Sequence, residues 1–190
     1  MHIRSQIAKA RRDTAELEGD RKAIIKALTG LGYTVLGKGA FAVVMIHEDA
    51  PNVVVKVSQQ TSTKGFVRKR GLVDGFSYYV DWMRDSGTRS RYALKVYGHR
   101  FVNKCDGGIY ISITERCFKA RGKTHRAVTT AANALSGHWW DEKKPADKWA
   151  KRYLYRLTSD TGLKLDLHGA NVMARANGSP VITDPLVYAY

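Results

Sequence analysis

The spacing of apolar and polar positions changes period along the chain. Residues 4–18 fit a helix stopped by Gly19, and Asp20 is placed to N-cap a second helix that carries Ile24, Ile25 and Leu28. That helix is predicted to end at Gly30 or Gly32. From Tyr33 the period becomes that of strands. Short β-branched runs at 33–36, 42–47 and 53–57, punctuated by Gly or Pro, predict three successive strands. Leu72, Phe76, Tyr79, Val80 and Met83 recur at three- and four-residue spacing, which predicts an amphipathic helix over 68–84. Strands are predicted at 92–97 and 109–115, with Asp106-Gly107-Gly108 as the turn before the second. Helices follow near 124–136 and 147–159, the latter with Trp149, Tyr153, Leu154 and Leu157 on one face. Strands at 172–174 and 181–183 flank Asn177-Gly178, a strong hairpin signal. The order predicts an α+β fold, not a βαβ repeat.

Composition narrows the function classes. A chain of 190 residues suits one domain or two lobes, and 44% hydrophobic residues make it globular. The 32 Lys and Arg against 17 Asp and Glu leave +15, which predicts an acidic partner. The basic runs Arg11-Arg12, Arg68-Lys69-Arg70 and Lys143-Lys144 are scattered, so no single basic arm is expected. No apolar run is long enough for a membrane span, and the charged start does not read as a secretion signal. Cys105 and Cys117 form no zinc spacing, so reduced thiols in the cytoplasm are expected.

Three segments carry candidate chemistry. In Leu36-Gly37-Lys38-Gly39-Ala40-Phe41-Ala42, glycines two apart between strands allow backbone N–H groups to approach phosphate oxygens, although an ordinary hairpin turn has the same look. In Val53-Val54-Val55-Lys56-Val57, a lysine inside an apolar strand either faces water from an edge or meets an anion. Its position one strand after the glycine turn favours a phosphate. In Asp166-Leu167-His168-Gly169-Ala170-Asn171, followed by Thr183-Asp184-Pro185, oxygen donors surround a hairpin. With Asn177 and Gly178 as the two turn residues, Asn171 falls opposite Asp184, an arrangement suited to Mg2+. Asx caps of turns are the plainer explanation of each residue taken singly.

In this order the segments resemble the protein-kinase-like fold: a glycine loop, a lysine on the third strand, a D-x-x-x-x-N loop and an Asp after a hairpin. The resemblance covers residues 31–190. Asp166-Leu167-His168 is similar to the D-x-H form of small-molecule phosphotransferases and atypical kinases, and the residues around Asp184 are similar to early serine/threonine kinases of short-tailed bacteriophages. It implies a helical extension over 1–30, an N-lobe over 31–117 with a five-stranded antiparallel sheet, and a minimal, mainly helical C-lobe over 118–190.

By the same resemblance, Gly37, Lys38, Gly39, Ala40 and Phe41 cover the phosphates of ATP and Lys56 pairs with them. Asp166 orients the substrate hydroxyl, and Asn171 and Asp184 hold Mg2+. The backbone of Glu115 to Cys117 meets adenine, and His168 holds the loop or touches the γ-phosphate. No Glu lies between Glu48 and Glu115, so the acidic partner of Lys56 must be an Asp, with Asp74 preferred to Asp81. The six residues after Asp184 leave no room for an activation segment or late peptide-docking helices. The function implied is Ser/Thr phosphorylation of host proteins in the host cytoplasm. The alternatives are a small-molecule kinase or a non-catalytic binder of an acidic host surface. A protein partner is preferred to nucleic acid because no basic stretch interleaved with aromatics stands out. Trp139-Trp140 could stack a base, with apolar packing the plainer reading. Oligomeric state is left open.

Overall fold

The computed structural model describes residues 2–61, 71–103, 108–135, 146–168 and 170–189. The predicted roles of Arg68, Lys69, Arg70, Cys105, Trp139, Trp140, Lys143 and Lys144 lie outside the described residues. The fold is α+β. The chain divides into two compact units, one formed by residues 1–74, 95–116 and 189–190, the other by 75–94 and 117–188.

The first unit is built on a five-stranded antiparallel sheet. Strands β1 (Thr34–Lys38), β2 (Ala42–Ile46), β3 (Val53–Gln59), β5 (Val96–Asn103) and β6 (Ile109–Glu115) lie in the order β1-β2-β3-β6-β5. Alternation gives this sheet two different faces. Val43, Met45, Val53, Val55, Val57, Ile109, Ile111 and Ile113 share one core with Ala10, Ile24 and Leu28 from helices α1 (Ile3–Thr14) and α2 (Arg21–Gly30). Each fully buried Val or Ile there contributes about 1.5–3 kcal/mol. Residues 1–30, predicted as an extension, therefore help to form the core of this unit.

Helix α1 stops at Thr14, earlier than its pattern predicts. The Arg100 guanidinium donates to the carbonyls of Thr14 (2.6 Å) and Leu17 (2.8 Å), satisfying groups that a longer helix would have paired internally. The Asp20 cap is present, its carboxylate accepting the Ala23 N–H at 2.8 Å.

Two predicted elements change. The helix foreseen over 68–84 is a short strand β4 (Leu72–Asp74) followed by helix α3 (Phe76–Asp85). Gly75 breaks the pattern between them: a Cβ there would lie 2.6 Å from the Leu186 carbonyl, so only glycine fits. The strand foreseen at 92–97 starts at Val96 instead. Tyr92 and Ala93 are held in the second unit, where Ile182 N–H donates to the Tyr92 carbonyl (2.8 Å) and Arg175 donates to the Ala93 carbonyl (2.8 Å).

The second unit packs aromatics from α3 against helix α5 (Lys148–Thr161). The Tyr79 and Tyr153 hydroxyls lie 2.8 Å apart, the Trp82 and Tyr153 rings have centroids 5.4 Å apart, and Trp82 Nε1 donates to Asp160 at 2.9 Å. Helix α4 (Gly122–Leu135) adds buried Val128 and Ala131. Strands β7 (Phe118–Lys119), β9 (Val172–Ala174) and β10 (Pro180–Ile182) form a small antiparallel sheet in the order β10-β9-β7. β8 (Lys164–Leu165) pairs with β11 (Leu186–Ala189) through Leu165 and Leu186. Among the described residues, no helix is long and apolar enough to cross a membrane.

Trp149 is a further correction. It was predicted on the packed face of α5, yet it is 55% exposed, while Ala150 takes the buried position beside Tyr153, Leu154 and Leu157.

Candidate functional site

In the first unit the candidate residues gather on the sheet face opposite α1 and α2. Lys56 lies on β3, flanked by β2 and β6, so it is not at an edge, and it is only 9% exposed. It pairs with Val44 and Ser112, and alternation places Val54, Ser58, Tyr110 and Thr114 on the same face. Asp74, 1% exposed, accepts a hydrogen bond from the Tyr110 hydroxyl. Tyr110 is a diagonal cross-strand neighbour of Lys56, so this bond brings the Asp74 carboxylate to the face that carries the Lys56 ammonium. Asp81 is instead exposed on α3 and paired with Arg84 at 3.1 Å. Asp74 therefore occupies a strand end, not the helix predicted for it.

Tyr110 was missed by the sequence reading. Its signal was available in Ile109-Tyr110-Ile111-Ser112-Ile113-Thr114, where strict alternation puts Tyr110 with the polar residues. His99, opposite Ser112 and 2.8 Å from its hydroxyl through Nδ1, extends the same polar face.

The glycine segment forms the β1–β2 hairpin. Gly37 pairs with Val44 and Lys38 with Val43, and the Gly39 N–H donates to the Ala42 carbonyl at 2.8 Å, leaving Ala40 and Phe41 at the turn. The Gly39 N–H is thus engaged within the hairpin. The Phe41 carbonyl accepts from Gln59 N–H at 2.9 Å and from Arg21 at 3.1 Å. Lys38 pairs with Val43, a residue of the helix-covered core, which sets it on the face away from Lys56. Gly37 shares the Lys56 face through Val44, and a Cβ there would meet no atom within 4 Å.

At the end of β6, the Glu115 N–H donates to the Lys95 carbonyl (3.0 Å), and its carboxylate accepts the Lys95 N–H (2.9 Å). The Arg116 N–H donates to the Asn52 carbonyl at 2.9 Å. The backbone donors of Glu115 and Arg116 are therefore engaged inside this unit. Cys117 belongs to the second unit.

In the second unit, Asp166, Asn171 and Asp184 are drawn together by backbone links. The Asp166 N–H donates to the Pro185 carbonyl at 2.8 Å, and Asn171 Nδ2 donates to the Asp166 carbonyl at 2.6 Å. The Thr183 N–H donates to the Asn171 carbonyl at 2.9 Å. His168 Nδ1 accepts the Ala170 N–H at 3.2 Å, a bond within the loop.

The predicted hairpin register is off by one. Ala174 pairs with Pro180 and Val172 with Ile182, which sets Asn171 opposite Thr183 and not Asp184. Gly178 lies at φ 81°, and its N–H donates to the Arg175 carbonyl, closing a three-residue loop in place of a two-residue one. Proximity of Asn171 to Asp184 therefore comes from the loop hydrogen bonds.

The donor set fits a hard cation in its chemistry. With Nδ2 donating to Asp166, the Asn171 amide has Oδ1 as its ligating atom, and Asp184 adds carboxylate oxygens. Among the described residues no group of three or more His, Cys, Asp or Glu is arranged to hold a metal, so two such oxygens would leave most positions to water and phosphate.

The cations of α1 differ in their partners. Arg11 donates through Nε to the Tyr97 carbonyl at 3.2 Å, and Lys9 pairs with Asp13 at 3.0 Å; Arg4 and Arg12 remain exposed. Compared with known proteins, the chain matches no family model and resembles no curated protein at a significant level.

Proposed function

We propose that the chain is a Mg2+- and ATP-dependent phosphotransferase of the protein-kinase-like type, similar to the early serine/threonine kinases of short-tailed phages and acting on hydroxyls of host proteins. The observation that carries this reading is the buried Lys56 with Asp74 on one polar sheet face. A buried ammonium is costly without an anion, and Asp74, held by Tyr110 at the same face, is the acidic partner this reading assigns to it beside a polyanionic ligand.

In this reading Lys56 binds the α- and β-phosphate oxygens, and Val44 and Val54 beside it offer an apolar floor for the base. The Asp166 carboxylate orients the Ser or Thr hydroxyl and accepts its proton. A bond forms between that oxygen and the γ-phosphorus while the bond to the β–γ bridging oxygen breaks, and ADP leaves. Asn171 Oδ1 and Asp184 would hold Mg2+, which when bound neutralises phosphate charge. Asn171 also fixes the Asp166 backbone, coupling the hydroxyl-orienting loop to the metal ligands.

The test is incubation of the protein with γ-labelled ATP, Mg2+ and host lysate, alongside Lys56→Met and Asp166→Asn. Label in protein, lowered about 100-fold or more in the Asp166→Asn variant, supports the reading. Label confined to small metabolites replaces it with a small-molecule kinase, and ATP binding without transfer to any acceptor replaces it with a non-catalytic binder.

A further inference from the structure

The solvent face of α5 is chemically unlike an ordinary exposed helix. Lys148, Trp149, Lys151, Arg152, Tyr155 and Arg156 are all exposed, with Trp149 at 55% and Tyr155 at 63%. The opposite face, Ala150, Tyr153, Leu154 and Leu157, is buried. The first acidic residue after the N-cap is Asp160, which pairs with Arg156 at 3.5 Å and accepts from Trp82.

Helix stability does not account for this pattern. Lys148, Arg152 and Arg156 stand four residues apart in one row, so both neighbouring pairs are like-charged and mutually destabilising. Lys148 also sits in the first turn, where the helix dipole disfavours cations, and Asp147 at the N-cap is engaged with backbone N–H groups. Two large rings remain in water among these cations, with Lys148 Nζ 5.5 Å from the centre of the Trp149 ring. Burial does not explain the rings, and ion pairing does not explain the like-charged Lys148 and Arg152.

We infer that the outer face of α5 binds single-stranded nucleic acid, the cations meeting phosphates and Trp149 and Tyr155 stacking on bases. Charge complementarity selects a polyanion, and the aromatics select one that presents flat π-faces. An acidic protein surface could seat the rings as interface anchors, but a single strand offers a flat stacking partner to each ring along the same polyanion that meets the cations. The exposed stretch from Lys148 to Arg156 spans about 12 Å of helix axis, room for a few unstacked nucleotides. This surface is independent of the phosphotransfer reading, since none of its residues belongs to the candidate site.

The experiment measures binding of a fluorescent oligothymidylate of about 16 nucleotides to the full chain by anisotropy, with polyglutamate of equal charge as competitor. The variants are Trp149→Ala with Tyr155→Ala, the corresponding Phe pair, and Lys148→Glu with Arg152→Glu. All positions are exposed, and melting temperature checks that each variant folds. The Ala pair should weaken binding by about tenfold or more per ring with little change in salt dependence, and the Phe pair should restore most of it. The charge reversal should flatten the dependence of affinity on salt. Oligothymidylate binding that ignores loss of the rings, polyglutamate competing equally well, or no oligothymidylate binding at all would overturn the inference.

Discussion

A methyl group at Gly37 would meet nothing within 4 Å, and neither Gly37 nor Gly39 adopts a positive φ. The fold therefore does not require glycine at 37. Gly37→Ala should change stability by less than about 1 kcal/mol while weakening ATP binding about tenfold, because the added Cβ occupies the space of an approaching phosphate. Thermal melting and nucleotide titration on the same sample separate the two effects. Asp74→Asn should lower turnover, whereas Asp81→Asn should not, since Asp81 makes only an exposed ion pair worth about 0–1 kcal/mol. Tyr110→Phe removes the donor that fixes Asp74 and should cost about 1–3 kcal/mol of stability, read by denaturant unfolding. For the metal ligands, Asn171→Asp keeps an oxygen but loses the bond to Asp166. It should retain Mg2+-dependent nucleotide binding better than Asn171→Ala, and Asn171→Ala should combine non-additively with Asp184→Asn in a Mg2+ titration. At this scale residue type and order single out Lys56, Asp166, Asn171 and Asp184 as candidates. Tyr110 was legible there only as one polar position of an alternating strand, since its carboxylate partner lies 36 residues away in the chain.

Helix α5 begins at Asp147, whose carboxylate accepts the N–H groups of Trp149 and Ala150 and a hydrogen bond from the Tyr92 hydroxyl. Burial alone would raise this carboxyl. The Tyr92 hydroxyl, the two N–H groups and the Arg91 guanidinium together outweigh burial and hold it below the usual carboxylate range. Burial and the same carboxylate push the Tyr92 phenol up to about 12. Because the folded-state carboxyl titrates lower than the unfolded one, its stabilisation is complete above about pH 3.9 and is lost as pH falls through the folded value. Asp147→Ala should thus cost about 1–2 kcal/mol at pH 7, with the difference from the parent shrinking in more acidic unfolding experiments. Elements with a strong period were legible: four of the five sheet strands, both N-terminal helices and α5 all follow from spacing. The failures have local causes. Gly75 ended a helical period that Leu72 seemed to continue, because the approach of Leu186 is a tertiary fact. The hairpin at Asn177-Gly178 gained a third loop residue, because Gly178 can adopt positive φ at the last loop position as readily as within a two-residue turn.

At the scale of the whole molecule, the +15 charge is spread along the chain, and only the cations of α5 belong to the proposed binding face. Added salt should therefore weaken polyanion binding with a slope set by the cations of α5, a much smaller number than the net charge. The division of the chain into interleaved units has a different consequence. Strand β3 pairs with β6 from Val53–Glu115 to Gln59–Ile109, yet residues 75–94, which belong to the other unit, are made between them. A ribosome that has produced the first 94 residues has released Val53-Val54-Val55 with one side of its ladder unmatched, a template for association with another chain. Pulse proteolysis of chains ending at residue 94 or 116 should find β3 protected only in the longer one. Synthesis is then the hazardous interval for this protein, and slow translation before residue 116, or scarcity of a holding chaperone, would reduce its yield without altering the stability of the finished fold.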